Sequence, residues 1–232
     1  MAGAGIADKR WTKGRKHELE WSRTETSQLL FNKLKTLNKP IKKYISAGAI
    51  GIFKEGIIDA GENGKKGTDF IAELCKKWEK TLDPFKNEGI PTALFRTGIV
   101  LDKNSGFYKQ MAQLSNFYAA AVPGSGKQWV SWIHMDDIVE MYYNAIVDDT
   151  VLGIYNGTAP RPVTLNEIIK SICKNEDRKL ILPNIPPFVL KLLFGEMAQV
   201  ILSSKKVLPN KWISENRTFK HQNLNEALKA IK

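Results

Sequence analysis

Two short apolar runs, Ile41-Lys-Lys-Tyr-Ile-Ser-Ala47 and Thr92-Ala-Leu-Phe-Arg-Thr-Gly98, bracket a stretch in which Phe70, Ile71, Leu74, Trp78 and Leu82 recur at helical spacing. Strand, helix and strand in that order predict two parallel strands joined by a crossover helix, because parallel neighbours need a long connection. The punctuation agrees. The first run leads into Gly48 and Gly51, a glycine-rich loop spans Gly56 to Gly67, and the helical pattern stops near Pro84.

The same logic extends in both directions. Residues 11–37 predict a long amphipathic helix carrying Leu19, Thr26, Leu30, Leu34 and Leu37, ended by Asn38-Lys39-Pro40. Downstream, Phe107–Tyr118 predicts a helix and Pro123-Gly-Ser-Gly126 a loop. Asp136 is placed to cap a helix carrying Ile138, Val139, Tyr142 and Ile146, and Gly153–Gly157 predicts a further strand. Thr164 with Glu167, and Asn223 with Glu226, have capping-box spacing. This order predicts an α/β chain with a parallel sheet, flanking helices and a smaller, mainly helical C-terminal lobe, divided into residues 1–160 and 161–232.

Composition narrows the class. With 232 residues, 43% hydrophobic and 9% aromatic, the chain is long and apolar enough for one core, which excludes a disordered polymer and a multi-domain machine. Cys75 and Cys173 cannot build a disulfide framework, and no Cys/His spacing suggests a metal site. No apolar stretch near Met1 resembles a signal peptide, so the expected compartment is the cytoplasm. Ile185–Leu202 is interrupted by Lys191, Gly195 and Glu196, which predicts a buried helix and no membrane span. The formal charge of +11 is uneven, with +7, −3 and +7 over residues 1–80, 81–160 and 161–232. Its lysines are scattered and lack the interleaved aromatics of a nucleic-acid surface, so solvated helix faces are expected and no nucleic-acid partner.

Eight blocks occur in order: Ala2–Trp11, Ser22-Arg-Thr24, Ile45-Ser-Ala-Gly-Ala-Ile-Gly51, Arg96-Thr-Gly-Ile-Val-Leu101, Gly124-Ser-Gly-Lys-Gln128, Trp132-Ile-His-Met-Asp-Asp137, Tyr155-Asn156 with Ala159-Pro160, and Leu192-Leu-Phe-Gly-Glu-Met197. Together they closely resemble the NAD(P)-binding epimerase-like family of atypical, extended short-chain dehydrogenase/reductases, including its C-terminal domain of unknown function. The resemblance covers almost the whole chain and implies a partial Rossmann-like domain at 1–160 followed by a substrate-side lobe at 161–232.

In that family the Ala2-Gly3 block follows the fourth strand of the sheet, after a Gly-x-x-Gly-x-x-Gly turn that holds the dinucleotide pyrophosphate at a helix N-terminus. Here Met1 stands directly before Ala2, and Gly3 and Gly5 have no strand before them. The expectation is an N-terminally shortened relative or an incomplete reading frame. NADP, or NAD, would then bind weakly or not at all, and the bared edge of the strand at Ile41–Ala47 would promote self-association or poor stability.

The resemblance also distributes roles. Ala2 and Gly3 run beside the adenosine and ribose, Glu18 and Arg23 approach the cofactor, and Val100 lies near the nicotinamide end. Arg23 is chemically suited to a phosphate. Classical relatives exchange protons through a Tyr-x-x-x-Lys pair while the nicotinamide exchanges hydride. No tyrosine here has a lysine four residues later, and Ile71 and Cys75 fall approximately at those positions. The family's Ser-Ala-Ser variant reads Ser46-Ala-Gly48. No catalytic residue is assigned, and Cys75 and Cys173 are expected to be buried and structural.

Gly124-Ser-Gly-Lys127 fails the phosphate-loop pattern, since Ala121 and Gln128 stand at its fixed positions. A substrate-cleft loop is expected instead, with Lys127, Gln128 and Trp132 facing a small sugar-like or anionic ligand and Trp11 either lining the same cleft or packing in the core. His134, immediately before a helix, is expected to cap or hydrogen-bond. Three functions follow: an NAD(P)-dependent epimerase/dehydratase-like or oxidoreductase-like protein of unknown substrate, a non-catalytic ligand-binding or interaction module derived from that fold, and, with least support, a basic nucleic-acid-associated protein.

Overall fold

The computed structural model describes residues 3–37 and 40–231, so Asn38 and Lys39, expected to end the first helix, lie outside the described residues. Helix α1 is Lys13–Thr36, strand β1 is Tyr44–Ala49, and a short 3-10 turn, Ile50–Ile52, follows it. The chain continues through α2 (Phe70–Lys80), α3 (Asp83–Asn87), β2 (Thr92–Thr97), β3 (Ile99–Leu101) and α4 (Gly106–Asn116). Next come β4 (Trp129–Val130), β5 (Trp132–His134), α5 (Met135–Val147), β6 (Gly153–Gly157), β7 (Val163–Thr164) and α6 (Leu165–Asn175). Helices α7 (Pro187–Phe194), α8 (Ala198–Leu202), α9 (Asn210–Ser214) and α10 (Leu224–Ile231) complete it.

The main sheet is parallel, in the order β1-β2-β6, with Tyr44 opposite Thr92 and Phe95 opposite Tyr155. Alternation along β2 sends its residues to two layers. Ala93 and Phe95 join Met141 and Ala145 of α5 in one apolar cluster, whereas Arg96 points to Glu79 of α2. Tyr44 stacks on Phe85 of α3 at 3.7 Å and donates to Ser27 of α1. The fold is therefore a Rossmann-like α/β sandwich with helices on both faces of a parallel sheet.

Local chemistry starts the helices. Thr12 caps α1, Asp69 accepts from the Ala72 amide at α2, and Thr164 accepts from the Glu167 amide at α6. At α5 the cap is His134, whose Nδ1 accepts from the Asp136 amide at 3.0 Å, and not Asp136 itself. The cap thus lies two residues before Asp136, and the His134 imidazole, expected to cap or hydrogen-bond, accepts the helix amide in place of the carboxylate.

Three features differ from expectation. Leu30 of α1 and Leu37 at its C-cap are exposed, because the three-stranded sheet is too narrow to cover the whole helix; its buried residues are Arg15, Leu19 and Ser27. Among the described residues no strand pairs with the outer edge of β1. Second, after β2 ends at Thr97 the chain does not turn away but continues into a further strand through Gly98. A Cβ there would overlap the Ser131 carbonyl, and this close approach lets the chain leave β6 and pair as β3 with β5. Third, Ile185–Leu202 is not one buried helix. Gly195 adopts a φ of 60° and splits it into α7 and α8, leaving Phe188 71% and Leu192 75% exposed. No helix among the described residues is long and apolar enough to cross a membrane.

The C-terminal lobe contributes α6 and α10 to a cluster with Leu101, Tyr108 and Trp132. Its segment 204–208 then runs back across the sheet region as a strap. The strap pairs with residues 56–60 through Gly56 N to Ser204 O, Lys206 N to Ile57 O and Ala60 N to Lys206 O, and Val207 N reaches Ser131 Oγ at 2.8 Å.

Arg96 is the most demanding buried group. It is 2% exposed, and its Nε and Nη2 donate to the two carboxylate oxygens of Glu79 at 2.6 and 2.9 Å, while Nη1 donates to Glu62 O. Removing one partner from such a pair strands a buried charge, at a cost of about 3–5 kcal/mol. Arg96→Met should lose about that much in urea unfolding, and the Arg96→Met/Glu79→Leu double variant should recover most of it. A loss below about 1 kcal/mol in the single variant would show that the pair is dispensable.

Candidate functional site

In open parallel sheets ligands bind at the carboxyl ends of the strands. Here those ends are Ala49, Thr97 and Gly157, bordered by the turn after β1, the loop 3–12 and the strap.

The loop before α1 is fixed by side chains of the helix. Ala4 N donates to Ser22 Oγ at 3.1 Å, Arg23 Nη2 donates to Ala4 O at 3.0 Å, and Arg15 Nη2 donates to Gly5 O at 2.6 Å. Trp11 Nε1 donates to Ile6 O, and its ring meets Phe70 edge-on at 5.1 Å. Arg23 also donates to Leu19 O and lies over the Trp78 ring, and burial pulls its pKa below the ordinary value. Much of its hydrogen bonding is therefore spent on holding the chain. Gly3 is exposed beside Arg23, while Ala2 lies outside the described residues. Glu18 is an exposed partner of Arg15 at 2.7 Å, which lowers its pKa. Val100 is half-buried on β3 against the Phe95 cluster.

The turn after β1 is where α2 comes closest. A Cβ on Gly51 would overlap Ile71 and lie 3.2 Å from Cys75 Sγ, so the two residues that the resemblance puts approximately at the Tyr and Lys positions of classical relatives face this turn. Neither can exchange a proton usefully. Ile71 has no titratable group, and burial pushes the Cys75 thiol up to about 12 despite the opposing charge of Lys205. Ser46 is buried, with its hydroxyl donating to Ala47 O.

Lys205 was not legible as a site residue. It reaches the turn from the strap, donates from Nζ to Gly51 O at 2.8 Å, and is 8% exposed. It makes no ion pair among the described residues, and burial lowers its pKa against the pull of Asp69, Glu55 and Cys75. In sequence it is one lysine of Ser203-Ser-Lys-Lys206, with no spacing relation to Gly51.

The four residues expected at the substrate separate into three places. Lys127 and Gln128 line one open cleft of about 440 Å³ with Gly124, Pro187 and Ser204. Gln128 Nε2 donates to Pro123 O and so shapes the loop, whereas Lys127 is exposed. Trp132 is fully buried in the C-terminal cluster with its Nε1 on Arg161 O, and Trp11 packs with Leu19 and Leu74.

His134, Asp136 and His221 also meet, with the two rings 4.0 Å apart. His134 Nδ1 is committed to the helix amide and Asp136 to Lys220 at 3.0 Å, while Asp137 accepts from the Lys220 and His221 amides. This cluster fastens α5 to the C-terminal lobe at the positive end of a helix, an electrostatic setting that opposes a cation.

Comparison with known proteins places this geometry. An epimerase family protein of Arabidopsis thaliana, the chloroplastic SDR39U1 homologue, is 36% identical over 238 residues, covering all of this chain and 67% of the relative. The epimerase family protein SSP1921 of Staphylococcus saprophyticus is 30% identical, over all of this chain and 78% of its own length. The chain belongs to this epimerase family. The model of a domain of unknown function, DUF1731, matches residues 185–231 of this family member. Its structure is similar to that of human epimerase family protein SDR39U1 (isoform 2) with NADPH, at a TM-score of 0.91 and 26% identity, over all of this chain and 79% of the human one. It also shares the fold of UDP-glucuronic acid 4-epimerase from Bacillus cereus, at a TM-score of 0.77 and 14% identity, covering 99% of this chain and 72% of that one.

Burial gives a direct test of the cysteines. Neither Cys75 nor Cys173 is accessible, so the folded protein should react negligibly with a thiol-disulfide reagent at mildly alkaline pH, and both should react after unfolding in guanidinium chloride. Rapid labelling of one thiol in the folded protein would contradict the structural role.

Proposed function

We propose that this epimerase-family protein binds NADP(H) across the carboxyl ends of β1 and β2 and acts as an epimerase/dehydratase-like or oxidoreductase-like protein on a small sugar-like or anionic substrate. The observation that carries it is the full-length likeness, at a TM-score of 0.91, to a relative whose structure contains NADPH. Bound nicotinamide would supply hydride exchange.

The described residues fit the flanks of such a cofactor. Loop 4–6 is immobilised by Ser22, Arg23 and Arg15, leaving exposed Gly3 beside them as a wall without a side chain. Fixing the wall before binding removes part of the ordering cost. For the pyrophosphate, no glycine-rich turn among the described residues leads directly from a strand of the main sheet into an α-helix. The 232 residues alone are therefore expected to bind NADPH weakly.

Lys127 is the exposed cation of the 440 Å³ cleft, and an anionic or hydroxyl-rich substrate suits it and the polar Ser125 and Ser204 that share the lining. The cleft opens beside the strap, so substrate and cofactor would meet at residues 204–205.

Titration by quenching of tryptophan fluorescence with NADPH should saturate. Arg23→Met, which frees loop 4–6, should weaken binding by about tenfold, equivalent to one or two lost hydrogen bonds. Fusing a strand and a Gly-x-x-Gly-x-x-Gly turn of the kind the family resemblance implies ahead of residue 1 should strengthen it. Absence of saturable binding in both the plain and the extended chain would overturn the cofactor role and favour an interaction module.

A further inference from the structure

Lys205 is an ammonium group withdrawn from water with only one hydrogen-bond acceptor, Gly51 O, and without an ion pair among the described residues. An ammonium has three N–H donors, and leaving donors of a buried cation unmet is costly. A purely apolar side chain would fill the same space without that cost. The strap nevertheless delivers a lysine there, and the position is specific. Gly51 O belongs to the turn at the carboxyl end of β1, and the Cα of the same glycine faces Ile71 and Cys75.

The family resemblance puts those two residues approximately where classical short-chain dehydrogenase/reductases keep a Tyr-x-x-x-Lys pair. The cation missing from α2 is thus present in space, brought from the other end of the chain. Burial lowers its pKa, and nearby groups oppose that shift without pairing with it. Asp69 at the start of α2, Glu55 in the loop after β1 and Cys75 within α2 are the groups that act on it electrostatically, and none forms an ion pair with it. Backbone bonds hold the segment that carries it: Ser131 Oγ donates to Lys205 O at 3.1 Å and accepts from Val207 N at 2.8 Å.

We propose that Lys205 is the active-site cation of this protein, donating from Nζ to a hydroxyl or carbonyl oxygen at the nicotinamide end of the bound nucleotide. The assignment rests on the NADP(H) role proposed above. It replaces a lysine from the crossover helix with one from the C-terminal strap, and it explains why the strap is woven into the sheet region rather than packed outside it. Gly51 O fixes the rotamer, and the remaining N–H groups are the ones offered to the ligand.

The test compares two probes on the full chain. NADPH reaches both ends of the site, whereas 2′,5′-ADP carries only the adenosine half. Lys205→Met should weaken NADPH binding about tenfold or more while leaving 2′,5′-ADP affinity within about twofold, because the lost charge-assisted bond lies at one end only. Lys205→Arg should fall between wild type and Lys205→Met. If Lys205→Met does not fold, as judged by thermal unfolding, Lys205→Gln retains a donor for Gly51 O without the charge and serves in its place. Equal weakening of both probes would assign Lys205 a structural role and overturn the proposal, as would unchanged NADPH affinity. Protein that binds neither probe, both as the plain chain and with the added strand and glycine turn, would refute the cofactor role itself, and this assignment with it.

Discussion

A single guanidinium sets the mechanical order of this protein. Arg96 lies in the central strand, is bonded by both oxygens of Glu79, and donates to the backbone of Glu62. Glu62 in turn uses its carboxylate to accept from the Asn156 amide of β6 and the Lys211 amide of α9, each at 3.1 Å. One buried charge therefore ties β2, α2, the long loop after β1, β6 and the C-terminal lobe together. In a low-dielectric setting the arrangement is all or nothing, since each member becomes an unpaired polar group when another leaves.

That clamp decides what can happen at the carboxyl end of the sheet. The loop 53–67 is glycine-rich and would otherwise be free to move, but Arg96 holds its Glu62 carbonyl and the strap pairs with its residues 56–60. The strap also contacts Ser131 and the side chain of Asn156. Side chains presented there, Lys205 above all, therefore sit on a supported frame. Precise placement of a cation needs such support, because a few tenths of an ångström change a charge-assisted bond more than they change an apolar contact.

The parts that were legible in sequence are local. Periodicity located α2 and its apolar face, the strand runs located β1 and β2, and Thr164 with Glu167 marked the start of α6, because each signal is carried within a few residues. Where tertiary geometry overrides local pattern, the sequence misleads. Leu30 and Leu37 have helical spacing but no sheet beneath them, the strand run ending at Gly98 gives no sign of β3, which follows that close-packed glycine and pairs with β5, and Gly195 breaks a run whose hydropathy suggests one helix. The site divides in the same way. Arg23 was identified through its neighbours in a motif, whereas Lys205 and Glu62 depend on contacts between segments about 90 to 150 residues apart, and no spacing rule encodes those.

On the proposed cofactor role, the turn after β1, the loop before α1 and the C-terminal strap form one nucleotide-binding rim. Hydrogen–deuterium exchange with and without saturating NADPH tests it most directly. Slowed exchange is expected in residues 4–6, 49–53 and 204–208 together, with α6 and α10 unchanged. Protection confined to the C-terminal helices, or the same exchange in all three rim segments with and without nucleotide, would contradict it.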